Sequence, residues 1–232
     1  MIKKVNVVVG SFLTQFIIVG MLFTYGVLMT ELEKEFGWSR TILSSIGAAG
    51  WLAWGIFAIP GGYLNDRLGP KIVLGVNGFI FGIGFILFSK SSEVWHLFLI
   101  FIFFIGIGLS THDISTLSTI AKWFENKRGL MTSIAKIGTA MGQMVMPPLI
   151  AFLIISFGWR TATFYLGIVA SIGLVLAASL MSTPNTSSKK LVSEDANLEV
   201  LDKKVFNLLA FCQFCIFFAM FTTCLLYTSD AA

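Results

Sequence analysis

Three side chains in this sequence are chemically out of place. His112 and Asp113 lie in a stretch, residues 94–121, whose only other polar ring or charge is His96, and Lys136 is the sole charge in residues 129–159. An ammonium inside an apolar helix is unfavourable by about 2.5–3.5 kcal/mol on insertion scales, so such a residue is a functional candidate by default. Two chemistries are open to it. It could hold an anion in a water-filled cavity, or it could snorkel to the headgroups along its own stem. Asp113 stands eight residues before Ala121, and Lys136 seven residues after Gly129. The short connection between them puts the two groups at similar depth. Asp113 or His112 is therefore expected to pair with Lys136. That pair is either a static bridge, which lowers the cost of both charges, or one that titrates or opens during a cycle.

Helical spacing gives Lys136 a context. At about 100° per residue, Thr132, Lys136, Thr139 and Gln143 fall within roughly 60° of one another. Ala135, Gly138 and Gly142 fall on another face of the helix and suit close helix packing, and Pro147 and Pro148 follow. Other candidates to touch a solute are Gln15 and Tyr25 on the first apolar run, and Trp51 and Trp54 near the middle of the second. For all four, packing is the competing reading.

The elements that must position these residues are membrane spans. The chain has 232 residues, 56% hydrophobic and 12% charged, with a mean hydropathy of +0.86; soluble domains carry about 25% charged residues. Residues 5–30, 41–65, 72–89, 161–188 and 205–229 hold no charge. With the two interrupted runs, 94–121 and 129–159, they make seven spans near the roughly 20 residues a bilayer requires. The runs are continuously apolar and do not alternate, which predicts an all-α integral membrane protein rather than a barrel. The first run is about twice a typical signal-peptide core and is read as a retained helix. Domains are expected at 1–182 (a six-helix bundle), 183–204 (a polar linker) and 205–232 (a seventh helix and tail). With the N-terminus inside, Lys and Arg number eleven on the inner segments and four on the outer, so the positive-inside rule places the N-terminus in the cytoplasm. The net charge of +4 calls for no nucleic-acid partner. Cys212, Cys215 and Cys224 read as small apolar filler on the seventh run.

Between the second and third spans stands Gly62-x-Leu64-x-Asp66-Arg67-x-Gly69-x-Lys71. It reads as a charged loop, residues 66–71, held at the membrane surface, where Asp66 could meet a helix N-terminus or Arg67. The competing reading is that Arg67 and Lys71 merely anchor the helix ends. The spacing and place of this motif resemble the signature between helices 2 and 3 of the major facilitator superfamily, with Pro70 where many members carry Arg. Phe36-Gly37-Trp38-Ser39-Arg40, Trp123-Phe124-Glu125-Asn126-Lys127-Arg128-Gly129, the Gly138, Gly142, Pro147 and Pro148 series, and Gly158-Trp159-Arg160 are similar to its monocarboxylate and oxalate/formate branch.

That resemblance implies an N-terminal bundle of two inverted three-helix repeats plus a seventh helix, out of twelve. It also implies a gating role for the motif and secondary transport of a small organic anion, a mono- or dicarboxylate, by alternating access across a cell membrane. A coupling proton or a counter-substrate would be the further partner. Ile102 stands where many proton-coupled members carry Arg, and residues 20–27 hold no Lys, so neither familiar coupling residue is present. The rivals are a drug or sugar facilitator of the same superfamily and a non-transporting sensor on the same fold. No cofactor, metal or enzyme activity is expected: the sequence has no phosphate-cradling G-x-x-x-x-G-K-[ST] loop and no nucleophile–base pair stands out.

Overall fold

In hydrocarbon a backbone must satisfy its own hydrogen bonds, so long uncharged runs become helices. The computed structural model describes residues 2–184 and, beyond them, Val205, Asn207, Leu208, Phe211, Cys212 and Cys215. The chain divides into two compact units, Met1–Pro184 and Asn185–Ala232. Most of the expected linker and most of the expected seventh helix lie outside the described residues. Six helical spans long and apolar enough to cross a membrane are formed in the first unit, Ile2–Phe36, Arg40–Leu68, Pro70–Phe88, Val94–Trp123, Arg128–Phe157 and Trp159–Leu180. No strand occurs among the described residues.

Two spans are interrupted. Span one comprises α1 (Ile2–Phe23) and α2 (Tyr25–Phe36). At the break, the Thr24 hydroxyl donates to the Met21 carbonyl at 2.6 Å and so competes with the helical ladder. Spans two and three are α3 (Arg40–Leu68) and α4 (Pro70–Phe88). Span four runs through α5 (Val94–Leu99), a π-helical stretch at Ile100–Ile105, α6 (Gly106–Ser110) and α7 (His112–Trp123). Thr111, at φ −118° and ψ −4°, separates its last two pieces. Spans five and six are α8 (Arg128–Phe157) and α9 (Trp159–Leu180).

The charged motif is less of a loop than its sequence suggests. α3 continues through Leu68, so Asp66 and Arg67 belong to its last turn and Gly69 alone joins it to α4. Charged residues at a surface are as well solvated on a helix end as on a loop, and only Gly69 breaks the helical geometry. Gly69 has φ 83° and ψ 158°, a region essentially closed to residues with a Cβ. Gly158 joins α8 to α9 with φ 79° and ψ 156°. Each of these glycines follows a proline-containing helix and leads at once into the next. The same joint thus recurs between spans two and three and between spans five and six, the places an inverted three-helix repeat makes equivalent.

Packing follows the small residues. The broadest helix pairings are α4 with α9 and α1 with α8. A Cβ on Gly138 would collide with the Phe12 carbonyl, and one on Gly20 would lie 3.0 Å from the Gly142 Cα. Glycine therefore lets α1 and α8 touch backbone to backbone. The apolar core gathers at the end where spans three and four join, with Tyr25 packed on Phe101 at 4.6 Å between ring centroids and Phe88 on Trp159 at 5.9 Å.

Candidate functional site

Span four is the hub of the polar interior. Its hydroxyls are mostly turned onto neighbours or onto their own helix, which is how polar groups survive in an apolar bundle. Asn77 on α4 donates to the Thr111 hydroxyl at 2.6 Å. The Ser115 hydroxyl donates to Asn65 Oδ1 on α3 at 2.7 Å. Thr116 and Thr119 donate back to the carbonyls of His112 and Ser115, both at 2.6 Å. His112 is buried, with Nδ1 2.6 Å from the Leu109 carbonyl. A carbonyl can only accept, so Nδ1 carries the proton and Nε2 is the nitrogen that faces Asp113 at 3.7 Å.

Asp113 collects the charged contacts. Lys136 Nζ on α8 lies 2.6 Å from Asp113 Oδ1. Gln15 on α1 donates from Nε2 to the same oxygen at 2.7 Å and to the Thr116 hydroxyl at 3.1 Å. Its Oε1 accepts from the Thr139 hydroxyl of α8 at 3.0 Å. Gln15 is fully buried, yet both ends of its amide are bonded. Three spans thereby meet at one carboxylate oxygen. Lys136 and Asp113 remain 40% and 36% exposed, so the pair lines accessible space. Among the described residues the ammonium has no other hydrogen-bond partner.

The other sequence candidates are dispersed. Trp54 packs on the His112 ring at 5.6 Å, and Trp51 packs on Trp54 at 5.1 Å, so both flank the hub from span two. Gln143 sits one turn beyond Thr139 on the same stripe and is half-buried. Pro147 and Pro148 lie inside α8. Their missing N–H groups release the carbonyls of Gln143 and Met144 from the helical ladder. Tyr25 is elsewhere. The break at Thr24 sets it at the head of α2, where its hydroxyl donates to the Leu43 carbonyl at 2.7 Å within the aromatic core.

In the motif, Gly62 is half-buried, and Leu64, Asp66, Arg67 and Lys71 are exposed. Arg67 lies over the Tyr63 ring at 4.4 Å. Asp66 forms no ion pair among the described residues, neither with Arg67 nor with another cation. Its neighbour Asn65, which the sequence did not single out, is the motif's buried link to span four.

A second cluster also escapes periodicity. Arg160, the first turn of α9, donates from one terminal nitrogen to the carbonyls of Ser89 and Ser91 at 3.2 and 3.1 Å. Its other terminal nitrogen meets Glu35 Oε1 at 3.0 Å. The guanidinium also lies over Trp159 at 4.6 Å, and the Trp159 indole donates to the other oxygen of Glu35. No group of three or more His, Cys, Asp or Glu side chains gathers among the described residues.

Comparison with known proteins agrees with this architecture. Residues 11–231 match the model of the Major Facilitator Superfamily. The Agnestins efflux protein AgnL12 of Paecilomyces divaricatus is 30% identical over 173 residues, covering 70% of this chain and 39% of that protein. Monocarboxylate transporter 14 of Homo sapiens is 27% identical over 177 residues, covering 75% and 34%. The Probable L-galactonate transporter of Escherichia coli (strain K12) is 30% identical over 150 residues, covering 63% and 32%. The chain thus spans 32% to 39% of the length of these relatives. With a family match over nearly its whole length, six apolar helices and the motif at the joint of spans two and three, the chain belongs to the Major Facilitator Superfamily.

Proposed function

We propose that this chain supplies one helical bundle of a secondary transporter that moves a small organic anion, a mono- or dicarboxylate, by alternating access. The observation that carries this reading is the Lys136–Asp113 contact of 2.6 Å between half-exposed groups. An ammonium parked on a carboxylate can exchange that partner for the carboxylate of a solute, because the two acceptors are chemically alike. Gln15 stays with Asp113 and Thr139 stays with Gln15, so the carboxylate left behind keeps a donor. Trp51, Trp54, His112 and Gln143 are the proposed contacts for the rest of the solute.

The motif at Asp66 serves as the gate in this proposal. An exposed carboxylate at a helix end, with no ion pair among the described residues, is free to bind a partner when two bundles close over it. Eleven inner against four outer basic residues support a cell-membrane protein with a cytoplasmic N-terminus. Coupling to a proton or to a counter-substrate runs through the opening of the Asp113–Lys136 pair.

The efflux protein among the relatives favours the rival reading, a drug or sugar facilitator of the same superfamily. Uptake of radiolabelled carboxylates by cells expressing the full-length transporter separates the readings. Asp113→Asn and Lys136→Ala are expected to abolish uptake or flatten its pH dependence. Unchanged uptake and pH response in both variants would leave the pair as a static bridge and overturn the proposal. A protein that moves no solute at all but responds to one would be a sensor.

A further inference from the structure

Where spans three and four join, the surface holds a groove of about 300 Å³. Its floor is apolar, formed by Leu87, Leu99, Ile100 and Phe104, and its rim carries Lys90 and His96. Ile100 and Phe104 belong to the π-helical stretch of span four. A π turn inserts an extra residue into the helix and displaces the side chains around it, and such turns recur at functional sites. Leu87 and Leu99 are themselves exposed, so the floor opens to the outside of the bundle. It does not open onto the Asp113 hub.

The groove lies at the ends of two membrane-length helices, the level at which hydrocarbon gives way to headgroups. Trp95, 59% exposed, stands beside His96 with ring centroids 4.0 Å apart, as an interfacial tryptophan does. The turn behind the rim is fixed. Arg160 holds the carbonyls of Ser89 and Ser91, and the Ser91 hydroxyl donates to the Phe88 carbonyl at 2.8 Å. Among the described residues, neither Lys90 nor His96 enters an ion pair. Glu93 lies in the same turn but does not line the groove.

We propose that this groove binds one phospholipid and prefers an anionic headgroup. The acyl chain lies on Leu87, Leu99, Ile100 and Phe104, and the headgroup phosphate sits between the Lys90 ammonium and an N–H of the His96 ring. The arrangement of apolar floor, basic rim and interfacial tryptophan follows the order of chemistry along a lipid from tail to headgroup. A basic side chain at this level favours anionic lipid by roughly fivefold. The site is independent of the transport proposal, since it lies apart from the Asp113 hub.

Native mass spectrometry of the purified chain, titrated with phosphatidylglycerol or phosphatidylcholine, tests it. One phosphatidylglycerol should be retained roughly fivefold more strongly than phosphatidylcholine. Lys90→Gln, an exposed change that leaves packing alone, should remove most of that preference, and Lys90→Gln with His96→Ala should remove the rest. Leu99→Trp, which fills the floor and spares the rim, should weaken both lipids. Glycerophosphate, a headgroup without tails, should not compete at equal concentration. Equal retention of the two lipids, unchanged retention in the Lys90 or Leu99 variants, or displacement by glycerophosphate would each overturn the proposal.

Discussion

Two of the ion pairs that join spans differ in what they leave unsatisfied. Lys136–Asp113 and Arg160–Glu35 are alike in exposure, 40% and 36% against 41% and 42%. Arg160 has two backbone carbonyls, one carboxylate and an aromatic face as partners. Its planar fork suits such a fixed site. Among the described residues Lys136 has one partner, and that partner is shared with Gln15. A compact ammonium with free protons can trade a carboxylate without stranding any backbone group. The saturated pair is therefore a clasp between spans one and six and the turn after span three. The unsaturated pair has the capacity for chemistry.

The sharpest way to break this contrast is to remove each cation in turn. Lys136→Ala should cut carboxylate uptake about 100-fold, the equivalent of a charged hydrogen bond of roughly 3 kcal/mol, with little change in thermal stability. Arg160→Ala should do the reverse. Losing the donor to two carbonyls should lower stability by about 2–3 kcal/mol, read from thermal unfolding in detergent, while uptake per folded molecule stays within about twofold of the parent. Gly142→Val sharpens the comparison from the packing side. It wedges α1 from α8 and should destabilise by about 2 kcal/mol, and it should also impair uptake because Gln15 leaves Asp113. Thr139→Val should have the smallest effect. Removing one donor to Gln15 should lower stability by about 1 kcal/mol and raise the Michaelis constant for uptake a few-fold, with the maximal rate kept.

Much of this contrast was legible in the sequence, and the part that was not has a physical reason. Counting residues from a short connection puts Asp113 and Lys136 at one depth, and helical spacing separates the Gly138–Gly142 face from the Lys136 face. Both rest on the regularity of a helix. Tyr25 shows the limit. Its candidacy as a solute contact assumes an unbroken first span, and the break at Thr24 sets it in the aromatic core instead. Glu35 and Arg160 are 125 residues apart, and no local pattern announces such a pair. Gln15 stood out only as a polar residue in an apolar run. Its amide is bonded at both ends because two other helices bring Thr139 and Asp113 to it, and that is a tertiary fact. Asn65 and Asn77 were hidden for the same reason, since each is defined by the hydroxyl it finds on span four. The likeness of the two joints at Gly69 and Gly158 lies in their matching dihedral angles, which only the backbone geometry shows.

The central claim is that Lys136 exchanges Asp113 for a carboxylate solute. Titration calorimetry of the purified protein with short mono- and dicarboxylates tests it most directly, with Lys136→Ala and Arg160→Ala measured beside the parent. The account predicts that binding disappears in Lys136→Ala and persists in Arg160→Ala. Carboxylate binding of unchanged affinity in Lys136→Ala would contradict it.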